Sequence, residues 1–413
     1  MKRIISLVLC LAMLLALPLA AHAETNITVW MGSWWEEAAP KVEERFNADP
    51  ANEGYTLTIE TFPINGYLDK VIAATLGGTP PDVADVDVTF MGALVRRDLI
   101  LELSAEDIAD VDVADFVQGV WNAGVFGERL FAIPNRSSTG AFIYNKTIFD
   151  NAGIPYPTNE WEVKDAYEMM LKLRDASNGE YYPTVVATSP SDPSNFTTCF
   201  DYMLWGLGGD YLNDDSTAVT MDTPEAIEAI QFYVDLFNEK LVPEGAINYT
   251  LTNDAVPLFC EGKVAMMNNT SSWTTAFNES GVDYGVVLTP GRSNGSGGWT
   301  YVIPATAPNP DASLKFMKWF TQTDVLGEMM IRTPSRISSN LNYAPWNEPV
   351  NDIYNEAGLH SHRSPVIPEW AEIRIVIINE VQKAIMGQQT AEQAGKNITE
   401  QGNALIAEGM AAQ

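Results

Sequence analysis

Short apolar runs alternate with stretches of helical spacing in the first quarter of the chain. Ile27–Met31 and Thr56–Glu60 have the length and composition of strands, and Asp82–Asp87 is a third strand after two prolines. Between them, residues 35–46 place large apolar side chains at helical spacing, and Tyr67–Leu76 is a second helical stretch closed by two glycines. Strand, helix, strand, helix, strand predicts an α/β unit with a largely parallel sheet.

Later helix starts are marked by capping residues. Asn159 with Glu162 has the spacing of a capping box, and Thr223 followed by Pro224 has a cap and then proline at the first helical position. Further strands are predicted at Val264–Met267, Tyr284–Leu288 and Tyr301–Pro304, and further helices at 314–320, 370–386 and 391–406.

The stretch from Leu130 to Lys146 decides the architecture. Two apolar runs, 130–133 and 141–144, flank the polar patch Asn135–Gly140. A hairpin is one interpretation, but the patch is long and lacks the Asn-Gly or Asp-Gly pair of a tight turn. We favour a chain that leaves one sheet, passes a polar crevice and enters a second sheet.

The length and the first residues set the domain count and the compartment. A chain of 413 residues exceeds what one core usually supports, so two lobes are expected. Lys2-Arg3, the apolar stretch 4–19 and Ala21-His22-Ala23 form a secretory signal, so the mature chain should begin near Glu24. No later stretch is long enough to span a membrane, and a lipid anchor at Cys10 is not expected because Leu9 precedes it. We expect an exported, soluble protein of the periplasm or another extracytoplasmic space.

The net charge of the chain restricts the classes of molecule that it could bind. The formal net charge is −30, and cleavage would remove Lys2 and Arg3 and leave −32. Such an acidic chain argues against binding to nucleic acid or to anionic membranes, and it tolerates neutral or cationic ligands. Two cysteines, Cys199 and Cys260, remain after cleavage, and the sequence leaves open whether they form a disulfide or stay as free thiols.

Catalytic and metal chemistry have little support. His360 and His362 are the histidines of the mature chain, and no third clustered ligand accompanies them. There is no G-x-S-x-G nucleophile elbow and no phosphate-binding P-loop. A glycosidase needs a pair of carboxyl groups at a set separation, which sequence cannot reveal. We predict no catalytic residue, no metal and no cofactor.

Several segments taken in order resemble one known family. They are Ile27–Trp30, Gly77–Val83, Phe131–Pro134 through Phe142–Lys146, Leu258–Met266 with Trp273, and Pro310–Phe320. Together they resemble the family 1 extracellular solute-binding proteins of ABC importers, the group that contains maltodextrin-binding protein.

The resemblance implies a type II-like periplasmic-binding-protein fold. Its two α/β lobes, each a mostly parallel sheet flanked by helices, would be joined by three crossings near Ile133–Asn135, Gly297–Trp299 and Thr333–Arg336. Lobe one would then hold residues 24–134 and 299–334, and lobe two would hold 135–298 and 335–413. Ligands in such folds bind where the carboxyl ends of strands converge.

Candidate ligand contacts come from the residues and from the resemblance. Trp34 and Trp35 follow the first strand, and an indole face can cover the C–H face of a sugar. Asp87 ends the third strand; its neighbour Asp85 is the weaker candidate because it could be solvated. Asn135 and Arg136 lie in the polar patch. The resemblance and the predicted crossings add Trp205, Asp210, Trp273, Gly298, Trp299, Arg336 and Trp370, whereas Trp121, Trp161, Trp319 and Trp346 are interpreted as packing residues.

The predicted function is capture of a mono- or oligosaccharide in the cleft between the lobes. Hinge closure would then present the closed form of a monomer to the membrane permease of an ABC importer. Two alternatives remain, a binder of polyamines or other cations and, with less support, a secreted glycosidase. Arginines such as Arg136 and Arg336 in the cleft would oppose a cation, whereas several carboxylates around tryptophan faces would suit one.

Overall fold

The computed structural model describes residues 24–63 and 66–411. The predicted signal at 1–23 and the interpretation of Cys10 lie outside the described residues. No helix in the described part is both long and apolar enough to cross a membrane.

The described residues form ten strands and sixteen α-helices, with short 3₁₀ and π segments between them. The strands are β1 Thr25–Gly32, β2 Tyr55–Phe62, β3 Val83–Asp87, β4 Val125–Phe126, β5 Arg129–Leu130, β6 Ile133–Asn145, β7 Met266–Thr270, β8 Tyr284–Val287, β9 Asn294–Val302 and β10 Ser361–Arg363. The helices are α1 Ala39–Ala48, α2 Tyr67–Leu76, α3 Met91–Arg96, α4 Gln118–Ala123, α5 Lys146–Ala152, α6 Val163–Ser177, α7 Pro193–Gly206, α8 Pro224–Asn238, α9 Val256–Cys260, α10 Thr274–Ser280, α11 Pro310–Phe320, α12 Thr323–Met329, α13 Ile337–Asn342, α14 Asp352–Gly358, α15 Trp370–Ile385 and α16 Ala391–Ala411.

The main sheet is mixed in direction. Its order is β2-β1-β3-β9-β6-β7, with β10 paired to β9 and β8 paired to β6. The unit predicted from the first quarter of the chain is confirmed, because β1 pairs in parallel with both β2 and β3. The expectation of mostly parallel pairing is wrong for the second lobe, where β6 pairs antiparallel with β7 and β8. Short apolar runs do not reveal strand direction, which depends on how the chain returns to the sheet.

Strand β6 carries the chain from one part of the sheet to the other. Its first half pairs with β9 over Ile133–Thr139, and its second half pairs with β7 from Gly140 to Tyr144. The hairpin interpretation is therefore excluded; the stretch is one continuous strand that passes between two parts of a single sheet, and not between two separate sheets. The register shifts between Pro134 and Arg136, so a bulge lies where the polar patch begins.

Two groups of apolar cores define the two lobes. In one, the helices α1 and α11 pack on β1 with Phe46, Phe316 and Phe320 fully buried. In the other, α7, α8, α15 and α16 pack around residues such as Phe200 and Tyr233. The fold class predicted from sequence, two α/β lobes, is confirmed.

The three predicted crossings lie side by side. Arg136 pairs with Trp299 of β9 on one side and with Pro334 on the other. Ser335 N donates to Asn135 O at 3.1 Å, which ties the third segment to the first. Beyond it, Trp346 Nε1 donates to Gly327 O within α12 at 3.1 Å. The lobe boundaries themselves stay a prediction.

One helix start differs from the sequence interpretation. The predicted cap Thr223 is confirmed at α8, where its hydroxyl accepts from Ala226 N. The predicted capping box of Asn159 with Glu162 is wrong, because Glu162 is itself the N-cap of α6 and forms the box with Asp165. Asn159 Oδ1 instead accepts from Leu288 N at 3.0 Å.

Candidate functional site

A cavity of about 500 Å³ opens where the ends of β1, β3 and β7 and the middle parts of β6 and β9 meet helices of the second lobe. Its lining is polar and aromatic together: Trp34, Asp87, Thr89, Arg136, Ser138, Asn195, Thr197, Asp201, Thr252, Thr270, Ser272, Trp273, Gly295, Gly297, Gly298, Trp299, Arg332, Ser364 and Arg374. We call this cavity the cleft. A concave site of this size with a few converging polar groups is typical of small-molecule binding.

An arginine lies beside a pair of tryptophans at one wall. The rings of Trp34 and Trp299 meet edge to face with centroids 4.5 Å apart. The guanidinium carbon of Arg136 lies 5.8 Å from the Trp34 ring and 5.4 Å from the Trp299 ring, within the range of cation–π attraction. Because each of these three side chains contacts the other two, this wall of the cleft is preorganised before a ligand binds.

Two glycines allow this wall to form. A Cβ on Gly32 would lie 2.1 Å from the Trp34 ring. A Cβ on Gly298 would lie 2.2 Å from the carbonyl oxygen of Arg136. Only glycine permits these close approaches, so the turn after β1 and the pairing of β6 with β9 both depend on it.

Carboxyl groups lie at the end of β3. Asp87 Oδ1 accepts from Thr89 N at 2.9 Å and from the Thr89 hydroxyl at 2.6 Å, and this capping interaction starts the short 3₁₀ turn that follows the strand. Asp85 is 1% exposed, so the interpretation that it is solvated is wrong. Burial raises the pKa of Asp85 to about 7, opposed by the hydrogen bond at 2.7 Å from Asn135 Nδ2 and by the charge of Arg136.

The opposite wall follows β7. A 3₁₀ turn at Ser271–Trp273 brings Ser272 and Trp273 to the cleft. The hydroxyl of Ser272 lies 3.0 Å from that of Ser138 on β6, and Arg332 Nη1 donates to Ser272 O at 3.4 Å. Trp273 is half-buried, with one side on the second-lobe core and part of its surface at the cleft.

Buried charged side chains form the floor. Asp201 on α7 is 4% exposed and accepts from Tyr211 Oη at 2.7 Å. Burial raises the pKa of Asp201 to about 8, so the carboxyl is largely protonated at neutral pH. Arg374 on α15 is 6% exposed, and burial lowers the pKa of its guanidinium while Asp87 and Asp201 oppose that change.

Six of the twelve predicted contacts line the cleft. They are Trp34, Asp87, Arg136, Trp273, Gly298 and Trp299. Trp34, Asp87 and Trp273 lie at or just after the ends of β1, β3 and β7, whereas Arg136, Gly298 and Trp299 lie within the long strands β6 and β9. Their role in ligand binding stays a prediction.

The other six lie outside the lining, each with structural partners. Trp35 packs on Phe320 and Trp370 packs on Tyr211, both nearly fully buried. Asn135 Nδ2 donates a hydrogen bond to the buried Asp85. Trp205 Nε1 donates to Asp210 Oδ1 at 3.1 Å, and Arg336 forms an ion pair with Asp115 at 3.0 Å.

Three charged residues of the lining were not among the predicted contacts. Asp201 and Arg374 are single charges inside apolar helical runs, 199–205 and 373–378, and that pattern was a usable signal for a buried functional group. Arg332 lies in a short polar segment with no such signal.

The described part of the chain contains no candidate metal site. Across residues 24–63 and 66–411, no three His, Cys, Asp or Glu side chains come close enough to hold a metal ion. His362 instead stacks on Trp205 with ring centroids 4.8 Å apart. Cys199 and Cys260 are both free thiols.

The comparison with known proteins identifies the family of the chain. Residues 28–325 match the family described as bacterial extracellular solute-binding protein. The chain belongs to this family. A protein of Brucella abortus strain 2308, named only as a binding protein, is 25% identical over 417 residues, which cover 96% of this chain and 97% of that one.

Two further members of the family bear sugar names. A maltooligosaccharide ABC transporter solute-binding lipoprotein of Streptococcus pneumoniae strain R6 is 24% identical over 375 residues, covering 86% of this chain and 84% of that one. The maltose-bound structure of T. maritima MalE3 superposes with a TM-score of 0.74 at 25% identity, covering 92% of this chain and 100% of that one.

Proposed function

We propose that this protein captures a carbohydrate in the cleft and delivers it to an ABC importer. The proposal rests on the lining of one cavity. Three half-buried or buried indoles, those of Trp34, Trp273 and Trp299, line it together with hydroxyl and charged side chains. Sugars offer apolar C–H faces and a rim of hydroxyls, and a cleft with both kinds of group matches both. The relatives named for maltooligosaccharide and maltose support the same class of ligand.

The charges of the cleft favour carbohydrate over a polyamine. Arg136, Arg332 and Arg374 line it, whereas Arg336 is held elsewhere by Asp115. A polycation would have to enter beside three guanidinium groups, and like charges in a partly desolvated site repel strongly. Two carboxyl groups, Asp87 and Asp201, do not offset this, because burial favours the neutral form of Asp201.

Closure of the lobes is the mechanism we assign. Trp34, Asp87 and Trp299 belong to one lobe, and Asp201, Trp273 and Arg374 belong to the other. A ligand that contacts both sets binds the closed form more tightly than the open form, and it therefore shifts the population toward closure. The adjacent crossings near Arg136, Trp299 and Pro334 provide a compact hinge.

From the role of the family we also propose a membrane partner and an extracytoplasmic location for this protein. The closed protein, a monomer released by signal cleavage near Ala23, docks on the membrane subunits of an importer and gives up the sugar. No bond of the ligand is broken in this scheme, so the protein is not an enzyme.

A thermal-shift screen tests the proposal. A ligand at about 100 times its Kd adds about 2.7 kcal/mol to the free energy of unfolding, so at least one mono- or oligosaccharide should raise Tm with concentration. Polyamines should leave Tm unchanged. A flat response to every sugar, with a rise in Tm on adding spermidine or putrescine, would replace this function with that of a cation binder.

A further inference from the structure

The cleft has the opposite charge balance to the rest of the chain. The sequence contains 54 Asp and Glu against 24 Lys and Arg. The cleft is lined by three arginines, Arg136, Arg332 and Arg374, and by two carboxyl groups, Asp87 and Asp201. A site that sampled the average composition would contain about two acids for each base. The arginines are therefore a specific feature of the site.

Arg136 and Arg332 line the same cavity, and the positive charge of Arg332 acts on Arg136. Burial lowers the pKa of the Arg136 guanidinium to about 10, against the charges of Asp85 and Asp87, and the charge of Arg332 adds a smaller lowering. Arg136 is also held by cation–π contacts with Trp34 and Trp299, yet its Nε is fully buried without a hydrogen-bond partner. Like charges held together at a cleft, with a donor still free, are what an incoming anion would stabilise.

The two carboxyl groups of the lining already have hydrogen-bond partners within the protein. Asp87 Oδ1 is occupied by the backbone and hydroxyl of Thr89. Asp201 accepts from Tyr211 and is largely protonated at neutral pH, so it can donate to a ligand oxygen. The lining thus holds three guanidinium groups and two carboxyl groups, one of which is largely protonated at neutral pH.

From this arrangement we infer that the natural ligand is a carbohydrate that carries an anionic group, of which a uronic acid is the simplest example. The inference rests on the proposed function and narrows its ligand class. Arg332 and Arg136 bind the anionic group, because a guanidinium offers paired donors to a carboxylate or to an ester of sulfate or phosphate. The tryptophans cover the sugar rings.

The experiment compares acidic and neutral sugars of matched linkage and length. Isothermal titration of the exported protein uses di- and trisaccharides of galacturonate, glucuronate and mannuronate beside those of galactose, glucose and mannose. A third arm uses 6-phosphate and 6-sulfate monosaccharides, which separates ester anions from carboxylates. At least one anionic sugar should bind about tenfold or more tightly than its neutral counterpart, as a charge-assisted hydrogen bond in a partly buried site would give. This preference should fall as NaCl is raised.

Arginine variants give the decisive control. Arg332 is exposed, so Arg332→Gln should fold, and it should weaken binding of the best anionic sugar by about tenfold while changing its neutral counterpart by less than about threefold. Arg129→Gln makes the same charge change far from the cleft, at a side chain 56% exposed and paired with Glu102, and should change neither.

The outcomes separate this inference from the proposed function. Neutral sugars that bind as tightly as every anionic counterpart would overturn the inference and leave the carbohydrate function intact. An equal loss for both kinds of sugar in Arg332→Gln would also overturn it. If no sugar of any kind binds, the inference and the proposed function both fail.

Discussion

Two tryptophans of the second lobe should respond to truncation in opposite ways. Trp273 is half-buried at the cleft, and Trp370 is 1% exposed and packs on Tyr211 with ring centroids 4.9 Å apart. In Trp273→Ala, a ring face of about 80 Å² is lost, part of the roughly 150–250 Å² that a buried aromatic covers. At about 25 cal/mol per Å² this costs about 2 kcal/mol of binding free energy, or about thirtyfold in Kd.

The stability of the sugar-free protein should change in the reverse order. Trp370→Ala empties a fully buried site in the core, which costs about 3–5 kcal/mol of unfolding free energy. Trp273→Ala removes a ring that is only partly packed on its core cluster and should cost about 1 kcal/mol.

Titration calorimetry with the best sugar and urea denaturation without it measure the two effects separately. The folded fraction of Trp370→Ala should bind with nearly the wild-type Kd. The reasoning is refuted if Trp273→Ala binds sugar as well as the wild type, or if its loss of stability matches that of Trp370→Ala.

Three further predictions concern buried groups. Folding raises the pKa of Asp201 from 3.8 to about 8. The stability that Asp201 contributes is therefore complete below its unfolded pKa and is lost as pH rises toward 8. The fall in Tm between about pH 5 and pH 8.5 should accordingly be smaller in Asp201→Asn than in the wild type. Arg336→Gln breaks a buried ion pair and should lower the unfolding free energy in urea by about 3 kcal/mol, yet calorimetry should show the sugar affinity of the folded protein unchanged. Gly298→Ala places a Cβ 2.2 Å from the carbonyl oxygen of Arg136 and should lower Tm markedly in a thermal scan. Gly297→Ala is the control, because its Cβ would have no atom within 4 Å, and it should not lower Tm. Equal Tm values for the two variants would contradict the close approach.

The sequence predicted the architecture because its signal is local and repeated. The stretch 130–146 shows this, since two apolar runs around a polar patch became one strand that passes between two parts of the sheet. The loops after β1, β3 and β7 were placed at the site because strands end at a common edge, a rule that needs no knowledge of side-chain contacts.

Side-chain roles were harder to predict because they depend on distant residues. Arg336 is held by Asp115, 221 positions earlier in the chain, so no local pattern could show that it is unavailable to a ligand. Trp35 packs on Phe320 while its neighbour Trp34 lines the cleft; the apolar stripe at helical spacing that begins at Trp35 already pointed to the core.

Other assignments could have been improved from the sequence. Trp370 begins an apolar stripe that continues through Ile373, Ile377 and Val381 at helical spacing, and a stripe of that kind indicates a core position. In the same helix, Arg374 interrupts the apolar run, and an arginine buried in such a place points to a charged or polar partner.

A crystal structure of the protein with its tightest saccharide tests the central claim most directly. The account predicts sugar rings within van der Waals contact of Trp34, Trp273 or Trp299, with side chains of both lobes bonded to the same molecule. A saccharide bound outside the cleft, or held by residues of one lobe alone, would contradict capture between the lobes.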